Sequence, residues 1–130
     1  MKIRPMREGD VNFILSTWLK SYYEELKRYG HKGAPYPKDD VFFQGHQSRI
    51  KEHLPSMTVL VCVAPDDDNQ IIGYLACDNK TLHYAYTKNV FRKMGVFKAL
   101  VKSCALDRYS HHTRFSKHIC KGLTYDPYRF

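Results

Sequence analysis

Apolar residues in the first part of the chain recur at steps of three and four. Val11, Ile14, Leu15, Trp18, Leu19, Tyr22 and Leu26 form one stripe of a helix, with Asp10 placed to cap its start. Ile3–Met6, just ahead, reads as a short strand. The stretch 29–37 holds Gly30, Gly33, Pro35 and Pro37 and is a loop, since such residues do not continue a helix. A second helix is expected after Pro37, capped by Asp39 or Asp40 and running through Val41, Phe42, His46, Ile50 and Leu54 to Pro55.

The period then changes. Met57–Ala64 is a continuous run rich in β-branched residues, suited to a strand covered on both faces. Asp66–Asn69 makes a turn, Ile71–Cys77 is the return strand, and Asp78–Lys80 turns again into Thr81–Thr87. In that last strand Leu82, Tyr84 and Tyr86 alternate with Thr81, His83 and Ala85, so His83 and Tyr84 should face opposite ways. Three strands joined by short turns predict an antiparallel meander. Helical spacing returns over Met94–Leu106 through Val96, Phe97, Leu100, Val101, Cys104 and Ala105. A strand over His111–Phe115, a short helix over Lys117–Lys121 and a strand over Thr124–Phe130 complete the order β-α-α-β-β-β-α-β-α-β. All of it is expected to form one domain, 1–130.

Composition narrows this picture only slightly. Hydrophobic residues at 43% and charged residues at 26% exclude a disordered chain. No apolar run approaches the roughly 18 residues needed to span a bilayer, and Met1–Pro5 leads into no apolar leader segment. The expectation is a cytoplasmic protein with no membrane partner. Cys62, Cys77, Cys104 and Cys120 lie far apart in apolar stretches, which suits small buried hydrophobes and gives no metal or redox motif. The Asp66–Asp68 triplet has no further ligands at loop spacing, so it reads as a hairpin tip and not a calcium loop. Ten Tyr and seven Phe suggest either a Tyr-lined groove or an aromatic core. The formal charge of +8 attracts anions but leaves nucleic acid, a nucleotide-type cofactor and an acidic protein partner all open.

The chemistry concentrates in Leu82–Leu100, a strand, then a basic turn with one glycine, then a helix start. The first turn of a helix presents unpaired N–H groups and the positive end of its dipole. Arg92, Lys93 and Lys98 added to these make a site for phosphate or pyrophosphate. The plainer reading is a basic surface turn that caps a helix.

Arg92-Lys93-Met94-Gly95-Val96-Phe97, together with the order of elements, resembles the GNAT (Gcn5-related N-acetyltransferase) superfamily. Its signature is Arg/Gln-x-x-Gly-x-Gly/Ala, after the fourth strand and opening the third helix. Within it the chain looks most like the short GNAT-like proteins of bacteriophage genomes. The resemblance implies an α/β fold with a twisted mixed, mainly antiparallel sheet and flanking helices. It further implies acetyl-CoA as cofactor, held by Arg92, Lys93, Met94, Gly95, Val96, Phe97 and Lys98, with the backbone amides of 93–98 on the pyrophosphate. The strand edge at Tyr86 and Thr87 would pair with the pantetheine arm. Phe97 stands where the family carries Gly or Ala, and Met94 where a basic or polar residue is common.

Acetyl transfer to an amine needs a polarised thioester carbonyl, a base for the ammonium and an acid for the thiolate. Where the family carries a Glu on the fourth strand this chain has Thr81, and where it carries a Tyr in the last helix this chain has His118. The candidates for acid and base are therefore His83, Tyr84, His118 and Tyr125. His111 and His112 read more simply as a basic patch, and Glu24 and Glu25 as a solvated helix face. The expected function is N-acetyltransfer to an amine of unknown identity, an acidic or phosphate-bearing acceptor suiting the charge. The alternative is a catalytically degenerate GNAT-fold interaction module acting on a host or virion partner. Basic and aromatic residues interleave at 109–115 and 125–130, but no nucleic-acid-binding motif accompanies them. The oligomeric state, homodimer included, is left open.

Overall fold

The computed structural model describes residues 1–29, 39–110 and 123–125, with side chains placed except at 25–29, 39, 40, 42 and 125. Strand β1 (Lys2–Pro5) leads through a single 3-10 turn, Glu8–Asp10, into α1 (Val11–Tyr29). Helix α2 (Asp39–His53) ends in a second such turn at Leu54–Ser56. The meander follows as β2 (Thr58–Ala64), β3 (Asp67–Asp78) and β4 (Thr81–Thr87), then α3 (Val96–Lys102) and two short strands, β5 (Arg108–Tyr109) and β6 (Thr124–Tyr125). The strands form one sheet in sequence order. Its first three pairings are antiparallel, while β4–β5 and β5–β6 are parallel. This is the expected α/β class, a mixed and mainly antiparallel sheet with flanking helices. The strand expected over 111–115 and the helix over 117–121 lie outside the described residues, as does the last strand beyond Tyr125.

The helical stripe works as its spacing requires. Ile14, Leu15, Trp18 and Leu19 of α1 are buried with Ile50, Leu54, Val59, Val61, Val63, Tyr74 and Tyr84 in a core on one face of the sheet. On the other face Val96 and Leu100 of α3 pack with Cys62, Ile72, Leu75 and Leu82. Strand β2 supplies both cores, which is why its apolar run does not alternate. In α2 the inward stripe is Phe43, His46 and Ile50, so Val41, two residues before Phe43, falls on the opposite face and is exposed.

The tyrosines at β3 and β4 build an aromatic core. Trp18 stacks on Tyr84 with centroids 5.1 Å apart. The Tyr84 hydroxyl lies 2.5 Å from Ser21 Oγ. Tyr74 donates to the Ile14 carbonyl at 3.1 Å and lies 2.8 Å from Thr17 Oγ1. Burial pushes the Tyr74 phenol well above its ordinary range. Each buried hydroxyl is thus satisfied by α1, which fixes that helix on the sheet.

The acidic triplet is a clamp. Asp67 begins β3, four residues before the expected start, and its carboxylate accepts the Asn69 N–H at 2.9 Å. Asp68 pairs with Lys2 at 2.8 Å and Arg7 at 3.3 Å. Beneath it the buried Arg4 guanidinium donates twice to Asp10, at 2.7 and 3.1 Å, and twice to the Asp68 carbonyl, at 2.7 and 3.2 Å. Asp10 also accepts the Arg7 N–H at 2.8 Å. Arg4 holds the Asp10 carboxyl below its ordinary range, chiefly through the hydrogen bonds. Its stabilising contribution is therefore complete above the unfolded pKa of about 3.9 and is lost as pH falls toward the lower folded value. Asp10→Asn, which leaves Arg4 buried without its counter-charge, should cost about 3–5 kcal/mol at pH 7 by denaturant unfolding and flatten the stability loss below pH 4.

Candidate functional site

After β4 the chain makes a 3-10 turn at Asn89–Phe91, and Arg92 donates its N–H back to the Asn89 carbonyl at 3.2 Å. Lys93 (φ 65°) and Gly95 (φ 82°) are both left-handed, so 93–95 stay out of the helix and α3 begins at Val96, two residues after the expected Met94. Glycine takes this conformation without strain, and the space around Gly95 is open. The first helical bond runs from Ala99 N–H to the Gly95 carbonyl at 2.9 Å, and the N-cap, Gly95, has no side chain to cap the helix start. The N–H groups of Val96, Phe97 and Lys98 therefore have no partner within the helix.

Around these donors Arg92, Lys93, Met94 and Lys98 are exposed. Arg92 Nε donates to the Thr87 carbonyl at 3.2 Å, which holds its guanidinium over the end of β4. Lys88 turns instead toward α1, its Nζ 5.4 Å above the Phe13 ring. The side chains of Val96 and Phe97 go to the α3 core, Val96 fully and Phe97 partly buried. A Phe at this position is thus spent on packing. The cationic rim of the turn consists of Arg92, Lys93 and Lys98.

The second component is the edge of β4 away from β3, along which no described strand is paired beyond Leu82. β4 pairs with β5 only at Thr81–Arg108 and Leu82–Tyr109, extended by the Ser110 N–H to the Leu82 carbonyl at 2.9 Å. Beyond that point no described strand lies beside β4. Lys88 donates to the Ile72 carbonyl at 2.9 Å, which sets the alternation along the β3 side. Tyr86 and Tyr84, opposite Tyr74 and Ala76, turn their backbone groups toward β3. Ala85 and Thr87 turn theirs to the open edge. Of the expected edge pair, Thr87 faces outward, while Tyr86 stacks its ring on Tyr74 at 5.7 Å. Ala85 is the second outward residue.

His83 sits at the last described contact between β4 and the chain of β5. Ala76 faces Tyr84 and Cys77 faces Leu82, so His83 is the extra residue of a β-bulge. The bulge breaks the expected alternation, and Leu82 belongs to the α3 core while Tyr84 belongs to the α1 core. His83 is 1% exposed. Its Nδ1 lies 2.7 Å from Ser110 Oγ and its Nε2 lies 3.1 Å from Asp78 Oδ1. Burial pushes the imidazole pKa below its ordinary value; Asp78 opposes this and His53 adds to it. The ring is therefore neutral at pH 7. Facing a carboxylate, Nε2 carries the proton and Nδ1 accepts from the Ser110 hydroxyl.

The other expected acid–base residues lie apart from this cluster or outside the described residues. Tyr84 is buried with its hydroxyl against Ser21. Thr81 is buried and donates to the Asn79 carbonyl at 3.4 Å. Tyr125 places its backbone in β6 opposite Tyr109. His111, His112 and His118 lie outside the described residues. Ser110 and Asp78 carried no signal in the sequence, standing 27 and 5 residues from His83. Cys77 and Cys104 approach to 3.8 Å between sulfurs, and burial, then Cys104, pushes the Cys77 thiol up to about 12. That suits the inert buried role expected of it.

No protein-family model and no curated protein matches this sequence. Solved structures do match its fold. A GCN5-related N-acetyltransferase from Rhodopseudomonas palustris superposes with a TM-score of 0.54 at 10% identity, over 78% of this chain and 61% of that one. Apo YjaB from Escherichia coli gives 0.53 at 17%, over 78% and 62%. The tetramutant of the BH1408 protein from Bacillus halodurans gives 0.55 at 13%, over 93% and 88%. The chain thus spans about three fifths of the first two proteins. These likenesses establish the architecture, a sheet and helix arrangement shared with GNAT-superfamily acetyltransferases.

Gly73 lets this site exist. A Cβ there would stand 2.6 Å from the Tyr86 carbonyl oxygen, 3.3 Å from Thr87 Cα and 3.2 Å from Val96 Cγ1. The absent side chain is what allows the end of β4 and the start of α3 to close on β3. Gly73→Ala should destabilise the fold by about 1–3 kcal/mol in urea unfolding, and the loss should fall on the β4–α3 amides in hydrogen exchange.

Proposed function

We propose that this chain is an acetyl-CoA-dependent N-acetyltransferase. One observation carries the reading: the amides of Val96–Lys98, free of partners within the helix, stand at the end of a β4 edge along which no described strand is paired beyond Leu82. An anion on those amides, rimmed by Arg92, Lys93 and Lys98, would place an extended acyl-bearing chain along Ala85–Thr87. The outward N–H groups of Ala85 and Thr87 would then meet the acyl carbonyl and carry its developing negative charge. Met94 and Gly95 complete the cradle, and Phe97 contributes its amide while its ring stays in the core. Tyr86 supports the edge from behind.

The acceptor is an amine. With +8 overall, an acidic or phosphate-bearing acceptor is favoured at encounter. His83, Tyr84, His118 and Tyr125 are the candidates for the proton steps, and His83, neutral and at the last described contact between β4 and the chain of β5, suits the base role. We propose likewise that the chain acts as one domain in the cytoplasm and that it resembles short phage-encoded GNAT-like proteins. Among the described residues no helix is long and apolar enough to cross a membrane.

Thermal unfolding with acetyl-CoA tests the cradle. At a hundred times its dissociation constant the ligand should stabilise the fold by about 2.7 kcal/mol. Gly95→Trp should abolish the shift, and Lys98→Glu should weaken it. A melting temperature unmoved by millimolar acetyl-CoA would overturn the reading, and a shift that survives Gly95→Trp would move the site elsewhere.

A further inference from the structure

We propose that Asp78, His83 and Ser110 form a nucleophilic triad, in which Ser110 takes an acyl group from a thioester or activated ester as a covalent intermediate. The two contacts, 2.7 Å from Ser110 Oγ to His83 Nδ1 and 3.1 Å from His83 Nε2 to Asp78 Oδ1, fall in the range a nucleophile, its base and the group orienting that base require. The carboxylate fixes the tautomer, so the basic nitrogen points at the hydroxyl. Asp78 keeps a partly exposed carboxylate (36%), while His83 (1%) and Ser110 (6%) are shielded from water, where their hydrogen bonds are strong.

The position fits as well as the geometry. The register Thr81–Arg108, Leu82–Tyr109 leads to Ser110 beside His83, at the last described contact between the two strands. Ala85, with its outward N–H, lies two residues further, roughly 6–7 Å along β4. The fork is already closed by Leu82, Tyr109 and the Ser110 N–H, so closure does not demand a buried hydroxyl–imidazole–carboxylate chain. The placement of the donor rests on the cofactor reading above; the triad itself does not.

In the first step Ser110 Oγ attacks the carbonyl carbon and its proton passes to His83 Nδ1. The new C–O bond forms as the C–S bond breaks, and the thiolate leaves with the proton that His83 returns. The products are a Ser110 ester and a free thiol, with Asp78 stabilising the transient imidazolium. An amine or water then attacks the ester, gives a proton to His83 Nδ1, and Ser110 recovers it as the C–O bond breaks. The product is an amide or a carboxylic acid.

The test is to incubate the purified chain with acetyl-CoA, and separately with p-nitrophenyl acetate, which needs no cradle, and to read intact mass and peptide maps. One acetyl group is expected on Ser110, released by alkaline hydroxylamine as an ester is and an amide is not. Ser110→Ala should abolish it, and Ser110→Cys should retain a labelled thioester. His83→Gln and Asp78→Asn should slow labelling about a hundredfold or more, with circular dichroism checking that each variant is folded. Labelling by the nitrophenyl ester alone upholds the triad and counts against acetyl-CoA as donor. Stabilisation by acetyl-CoA with no label on Ser110 from either donor overturns the triad and leaves the cofactor reading standing. If neither label nor stabilisation occurs, both fall.

Discussion

His83 is the extra residue of β4 at its bulge against β3, and the shape of the candidate site depends on that one bulge. An extra residue on one strand increases the local twist and re-aims the side chains on either side of it. Leu82 goes to the α3 core and Tyr84 to the α1 core, with the imidazole held between Asp78 and Ser110. Among the described residues β4 pairs with β5 only before the bulge. The closed end of the fork is pinned from the hairpin, where Asn79 and Lys80 are both left-handed and the Lys80 carbonyl accepts the N–H groups of Asp107 and Arg108. The open end leads to the basic turn.

The two cores do different work around this fork. On the α1 side, buried tyrosines are tied to helix carbonyls and hydroxyls, so the helix and the sheet hold each other by direction as well as by area. On the α3 side the contact is apolar, and its closeness is set by Gly73. A seven-residue helix is too short to hold itself, so its place depends on Val96 and Leu100 in the core. That dependence gives Phe97 its meaning. Its ring adds to the packing of a marginal helix, and the amide it leaves at the helix start is the functional part.

Much of the frame was legible in the sequence. The stripe in α1, the unbroken run in β2, the two hairpin turns and the basic turn before α3 each follow from local spacing or turn chemistry. The edges of the reading shifted where packing decides: Val41 faces out because α2 seats on Phe43 and Ile50, and Asp67 opens β3 because Lys2, Arg4 and Arg7 anchor the hairpin tip. The candidate site was half legible. Arg92, Lys93, Gly95 and Lys98 sit in one short segment whose composition announces an anion site. Ala85 in place of Tyr86 at the open edge could not be read, since which backbone groups face outward depends on the pairing register with β3.

His83 marks the boundary between the two kinds of information. Leu82, Tyr84 and Tyr86 recur at every second position through it, so nothing local betrays the bulge. Local sequence determined which segments are helix and strand, and where cations and a left-handed glycine gather, because those properties act over a few residues. Only the tertiary structure decided that Asp78, His83 and Ser110 meet, because strand pairing brings together residues that share no local pattern, and the energy of burying them appears only once the sheet has formed.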